Sequence, residues 1–156
     1  MQRHGTGIDL DTSLGYVLKE AASALRSAME DALRPLALGV TQYACLELLD
    51  QRPGLSASAL ARGVFVTRQT MNVLLQALER DGLVSRDAGA VVGRSLPARL
   101  TPQGRAALQD ATAAVRAVEV RMLAGLTEAE QADAFRVLTG MARALRGPAP
   151  TGPDDA

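Results

Sequence analysis

A chain of 156 residues, 47% of them hydrophobic, suits one domain or a small domain with elaborations, and it can bury a core. One cysteine excludes an internal disulfide, and with one histidine it leaves little material for a metal-ligand cluster or Cys–His catalysis. The net charge is zero, but residues 52–105 carry eight arginines (52, 62, 68, 80, 86, 94, 99 and 105) against Glu79, Asp81 and Asp87, net +5 between flanks of −3 and −2, which fits one face for a polyanion or an ordinary solvated arginine surface.

The first residues, MQRHGTGIDLDTSLGY, lack the basic-then-apolar pattern of a signal peptide, and no apolar run long enough to cross a bilayer follows. With one thiol, Cys45, which fits a reducing compartment, the expectation is a cytoplasmic protein with no membrane partner. The spacing of Leu14, Leu18, Ala21, Leu25, Ala28 and Ala32 predicts a helix from about Thr12 to Arg34, too long and apolar to be only a lid on a small core. Pro35 ends or bends it.

Thr41 is the expected cap of a second helix, TQYACLELLDQ, which stops before Pro53-Gly54. Ser56 caps a third, SASALARGV, of about two turns. Thr67 caps a fourth, in which Met71, Leu74, Leu75 and Leu78 make one apolar stripe and Gln69, Val73, Gln76 and Arg80 the opposite face. Gly82 is placed to end it. Leu83-Val84 and Leu96–Leu100 are short strand candidates around the Gly-bearing loop DAGAVVGRS. Pro97 suits an edge ribbon rather than a central strand.

Thr101-Pro102 is a helix start, a capping hydroxyl followed by a proline in the first turn, and that fifth helix runs to about Ala124. Thr127 and Glu130 form a capping box that opens a sixth. The tail from Gly147, GPAPTGPDDA, reads as disordered.

Three short helices and a two-stranded ribbon make a winged helix-turn-helix, in which the last helix enters the major groove by its N-terminal end. That role suits the fourth helix. Its first turn lacks acid, so its N-terminus can face phosphates. Gln69 can offer a bidentate amide to adenine, Thr70 and Asn72 can reach neighbouring base edges, and Val73 can touch a thymine methyl. Arg68 lies nearer the flank, where a phosphate is its partner. A polar solvent face with a capping threonine would look the same on one helix. The two-turn helix before it and the arginine-bearing hairpin after it favour DNA.

SASALARGVFVTRQTMNVLLQALERDGLVSR, followed by GRSLPARLTPQGRAAL, resembles the MarR family of bacterial transcriptional regulators. The likeness rests on Leu60-Ala61, Leu78-Glu79 with Gly82-Leu83-Val84, Gly93-Arg94-Ser95, and Leu100-Thr101 with Gly104, and extends over about residues 12–146. It implies a mainly α fold: a winged helix-turn-helix lobe (40–101), a dimerisation domain built from both chain ends (1–36 and 102–146), and a tail (147–156). It also implies a homodimer on a pseudo-palindromic double-stranded DNA operator, acting as a repressor released by a small molecule. The expected DNA contacts are Ser56, Thr67, Arg68, Gln69, Thr70, Asn72 and Val73, with Arg86, Arg94 and Ser95 from the wing. Tyr16, Tyr43 and Cys45 are candidates for the effector cleft; half-buried packing for the tyrosines and core packing for the cysteine are the plainer alternatives. The chain departs from the family where members often carry an aspartate just before the wing arginine: this segment reads AVVGR, and Asp87 is the candidate substitute.

Two rival readings are an oxidant sensor acting through Cys45 and a helical protein-interaction module that does not bind DNA. No cofactor or metal is expected. Ser13, Ser56 and Ser95 stand in no nucleophile-elbow context, and no Walker loop, GxGxxG or HExxH occurs, so an enzyme has no positive support.

Overall fold

The computed structural model describes residues 7–86 and 97–147. The wing loop with Asp87, Val91, Val92, Arg94 and Ser95, and the tail beyond Gly147, lie outside the described residues. The chain forms two compact units, residues 1–118 and 119–156.

In the first unit, α1 (Leu14–Leu33) opens on Ser13, whose hydroxyl accepts from the Tyr16 amide at 3.2 Å. A 3-10 turn (Arg34–Leu36) carries Pro35 and passes the chain to α2 (Val40–Gln51). The expected cap at Thr41 is the second residue of that helix, two positions past the observed cap. Gly39 is the N-cap instead, because the Gln42 side chain reaches back and accepts from the Gly39 amide at 2.9 Å.

Helix α3 (Ala57–Gly63) starts where expected, with Ser56 accepting from the Ala59 amide. Helix α4 (Arg68–Arg80) starts at Thr67 and ends in a Schellman motif: Gly82 at φ +74° donates to Glu79 O, and Leu83 donates to Leu78 O. Strand β1 (Val84–Arg86) pairs antiparallel with β2 (Ala98–Leu100), Val84 opposite Leu100 and Arg86 opposite Ala98. Helix α5 (Pro102–Leu123) begins in this unit and continues into the second.

The core gathers residues from α1 to α5 and from both strands. Leu33, Cys45, Leu46, Leu60, Met71, Leu75, Leu78, Ala98, Leu108 and Ala111 are buried together, and α3 packs on α4, α4 on β1, and α2 on β2. Leu60, Met71, Leu75 and Leu78 are essentially sealed from solvent, which at about 1.5–3 kcal/mol per large side chain fixes α4 rigidly by its apolar stripe. In α1 only Leu33 is buried, and Leu14, Tyr16, Val17 and Leu18 are exposed.

The second unit holds the end of α5 and α6 (Glu128–Arg146). Helix α6 opens on the expected capping box: Thr127 accepts from the Glu130 amide, and Glu130 accepts from the Thr127 amide at 2.8 Å. None of its residues is buried; Phe135 is 76% and Leu145 88% exposed. Among the described residues no helix is long and apolar enough to cross a membrane.

Candidate nucleic-acid interface

With Met71, Leu75 and Leu78 turned inward, the 3.6-residue period places Arg68, Gln69, Thr70, Val73, Gln76 and Arg80 in solvent. Val73 is 63% exposed. Asn72 is half-buried at the edge of that face. The Thr67 hydroxyl accepts from the Thr70 amide at 3.1 Å and shares a 2.9 Å hydrogen bond with the Thr70 hydroxyl, so the two side chains brace each other across the first turn. Gln69, Thr70 and Val73 line one shallow groove with Leu74, Ala77 and Gln42, a residue of α2 that the sequence reading left out.

The acid-free first turn is less telling than it looked. Among the six described helices only α6 carries acidic residues there. What sets α4 apart is its outward face, where a guanidinium, an amide, a hydroxyl and an isopropyl group stand side by side on a rigid helix. Such a set offers a cation to phosphate and donors, acceptors and apolar surface to base edges.

The remaining expected residues divide. Ser56 is exposed at the N-terminus of α3. Arg86 is half-buried at the end of β1. Its Nε lies 3.6 Å from Glu79 Oε2, and its Nε and Nη2 are buried without a hydrogen-bond partner among the described residues. Those two nitrogens face the protein rather than a phosphate. Arg94 and Ser95 lie outside the described residues.

Cys45 is fully buried, with Sγ 3.9 Å from Met71 Sδ, and burial pushes its thiol up to about 11. It therefore packs beneath the exposed face of α4. Tyr16 is exposed on α1. Tyr43 is half-buried on α2. Desolvation raises its phenol pKa; a hydrogen bond with Thr112 opposes that rise and the Glu47 charge adds to it.

Beside Tyr43 lies a cleft of about 430 Å³ between α2 and α5. Glu47 and Asp50 form one wall, and Arg105, Gln109, Thr112 and Arg116 the other, over Leu108 and Ala113. Thr112 Oγ1 donates to Glu47 Oε2 at 3.2 Å across it. The sequence reading missed these residues. Their spacing on α5, at 105, 109, 112 and 116, is the helical stripe that could have revealed one wall. Nothing local pairs it with α2.

Three helices followed by an antiparallel two-stranded ribbon, the third helix turning a mixed polar face to solvent, define a winged helix-turn-helix protein. The MarR family model matches residues 38–95. The chain is 46% identical over 132 residues to the HTH-type transcriptional repressor Rv2887 of Mycobacterium tuberculosis, an alignment spanning 85% of this chain and 95% of that relative. It resembles the crystal structure of Rv2887 in complex with DNA at a TM-score of 0.70 and 40% identity, over 85% of this chain and 100% of the other. The complex of Rv2887 with salicylic acid gives 0.68 at 45% identity, over 84% and 97%. The chain belongs to the MarR family of transcriptional regulators.

Proposed function

We propose that this protein is a homodimeric, cytoplasmic repressor that binds a pseudo-palindromic double-stranded operator and leaves it when a small molecule binds. The observation that carries the reading is the exposed Arg68-Gln69-Thr70-Val73 face of α4, held on a sealed apolar stripe. Ser56, Thr67 and Arg68 serve phosphates, and Gln69, Thr70, Asn72 and Val73 serve base edges. Arg94 and Ser95 extend the contact from the wing, and Arg86 acts at the wing base, anchored against Glu79. The DNA complex of Rv2887 supports the DNA-binding reading.

Dimerisation through 1–36 and 102–146, around a DNA-binding lobe at 40–101, is supported by the apolar residues that the single chain leaves exposed: Leu14, Val17 and Leu18 in α1, and Phe135, Leu138 and Leu145 in α6. A two-fold protein matches a two-fold operator. The α2–α5 cleft beside Tyr43 is the proposed effector site, and salicylic acid, bound by Rv2887, is the first compound to test. Burial and a raised thiol pKa support a packing role for Cys45 over oxidant sensing.

The test is a titration of a fluorescent duplex, selected by the protein from a random-sequence pool, at several salt concentrations. A steep loss of affinity with salt, and release on adding salicylate, are expected. Binding that ignores salt would instead fit a protein-interaction module.

A further inference from the structure

The groove on the outward face of α4 is not made by α4 alone. Gln69, Thr70 and Val73 line it with Leu74 and Ala77, and Gln42 of α2 completes it. Gln69, Thr70 and Val73 are exposed, and Gln42 is half-buried. A duplex that reaches the base-reading side chains therefore also comes up against Gln42.

Gln42 is held in a set orientation. Its Oε1 accepts from the Gly39 amide at 2.9 Å in the capping box of α2. Only the carbonyl end of the side chain can meet an N–H, so the other end, Nε2, is the one left over, and it carries two donors. No described residue accepts a hydrogen bond from Nε2. This polarity decides what Gln42 can recognise. An adenine edge is read by an amide that donates and accepts at once, as Gln69 can. With its carbonyl turned to Gly39, Gln42 presents donors. It stands on α2, beside the helix that enters the major groove, and the strands bordering that groove offer phosphate oxygens as acceptors.

We infer that Gln42 is a DNA contact, donating from Nε2 to a phosphate oxygen beside the major groove while the same side chain caps α2. The inference rests on the DNA-binding reading above. The contact is neutral and reads no base, so it fixes the register of α4 on any duplex and leaves base preference to Gln69 and its neighbours.

The experiment measures binding of the full-length protein to a selected duplex and to a random one, at several salt concentrations, with thermal melting alongside. Gln42→Glu keeps the cap, because its carboxylate accepts from the Gly39 amide at a helix N-terminus, so its melting temperature should match or exceed the wild type. It replaces the donors with an anion, and affinity should fall by more than about tenfold on both duplexes. Gln42→Met removes the donors and the cap without adding charge. It should melt lower, and well below its melting temperature its affinity should fall about tenfold on both duplexes. Its salt slope should stay at the wild-type value, because an amide displaces no counterion, whereas Arg68→Ala should lose about 0.9 of slope for one phosphate. A loss in Gln42→Glu with wild-type affinity in Gln42→Met would reduce the effect to charge repulsion and overturn the contact. A loss confined to the selected duplex would overturn the phosphate assignment in favour of a base edge. Wild-type affinity in both variants would overturn the contact while leaving the regulator reading intact. A wild-type protein that binds no duplex would overturn both.

Discussion

Gly104→Ala tests how tightly α5 is joined to the reading head. Gly104 is buried in the first turn of α5, where an added Cβ would overlap the Leu83 carbonyl oxygen. That carbonyl accepts from the Thr101 amide at 3.1 Å. The Thr101 hydroxyl donates to Gly82 O at 2.6 Å and accepts from the Gly104 amide at 2.9 Å. One threonine thus ties together the end of α4, the end of β2 and the start of α5. The clash is with backbone, which cannot rotate away, so α5 must move off the strand. Overpacking of this kind costs about 1–3 kcal/mol. Weakening one buried hydrogen bond adds about 1 kcal/mol. The helix preference of alanine over glycine returns about 1 kcal/mol. The net expectation is a loss of about 1–3 kcal/mol, or ~2–4 °C of melting temperature per kcal/mol for a chain of this size.

Gly63→Ala is the matched control. Its Cβ would also meet a neighbour, but that neighbour is Leu48 Cδ2, the free end of a side chain that can change rotamer. It should be close to neutral. Urea unfolding of both variants, with the dependence on urea concentration checked for constancy, gives the comparison. Equal stability of the two variants, or a stabilised Gly104→Ala, would refute the argument that α5 is locked to the wing base by close backbone approach.

Gln69→Ala should cost ~1–3 kcal/mol on a selected duplex and much less on a random one, since it loses a base edge and no phosphate; equal losses on both would assign Gln69 to the backbone. Glu79→Gln should destabilise by about 1–2 kcal/mol, because it leaves the half-buried Arg86 guanidinium without its carboxylate, and Glu79→Gln/Arg86→Met should recover part of that in the same urea assay. Cys45 carries a pH signature. Its folded pKa, near 11, lies above its ordinary 9.0, so its contribution is complete below about pH 9 and is lost as pH rises toward 11. Cys45→Ala should therefore remove roughly 2–3 kcal/mol of the alkaline loss of stability, leaving the part due to the raised Tyr43 phenol, and identical pH profiles would show that the thiol is not desolvated.

What the sequence disclosed was local. Ser56, Thr67 and the Thr127–Glu130 pair cap their helices because the hydroxyl and the amide it serves are three residues apart, and such pairs are visible in any window of that width. The apolar stripe of α4 was legible for the same reason, and with it the outward set from Arg68 to Val73. The start of α2 was misplaced because the search was for a capping hydroxyl, and Thr41 supplied one. The amide of Gln42 does the work instead, leaving the cap to a glycine without a side chain. Cys45 looked like a candidate for a cleft until its partner proved to be Met71, 26 residues on.

The α2–α5 cleft lay further out of reach. Thr112 and Glu47 meet across 65 residues, and each reads alone as an ordinary polar position on a helix. Phe65 is a different kind of omission, because in sequence an exposed aromatic and a buried one are the same letter. A phenylalanine in the short connection before Thr67 gives no sign of which it is. Only the backbone angle and the exposure of the ring separate it from a buried one, and both depend on where α3 stops. The residues that the sequence hid are therefore those whose place is set by the meeting of elements: the α2–α5 cleft and the turn between α3 and α4.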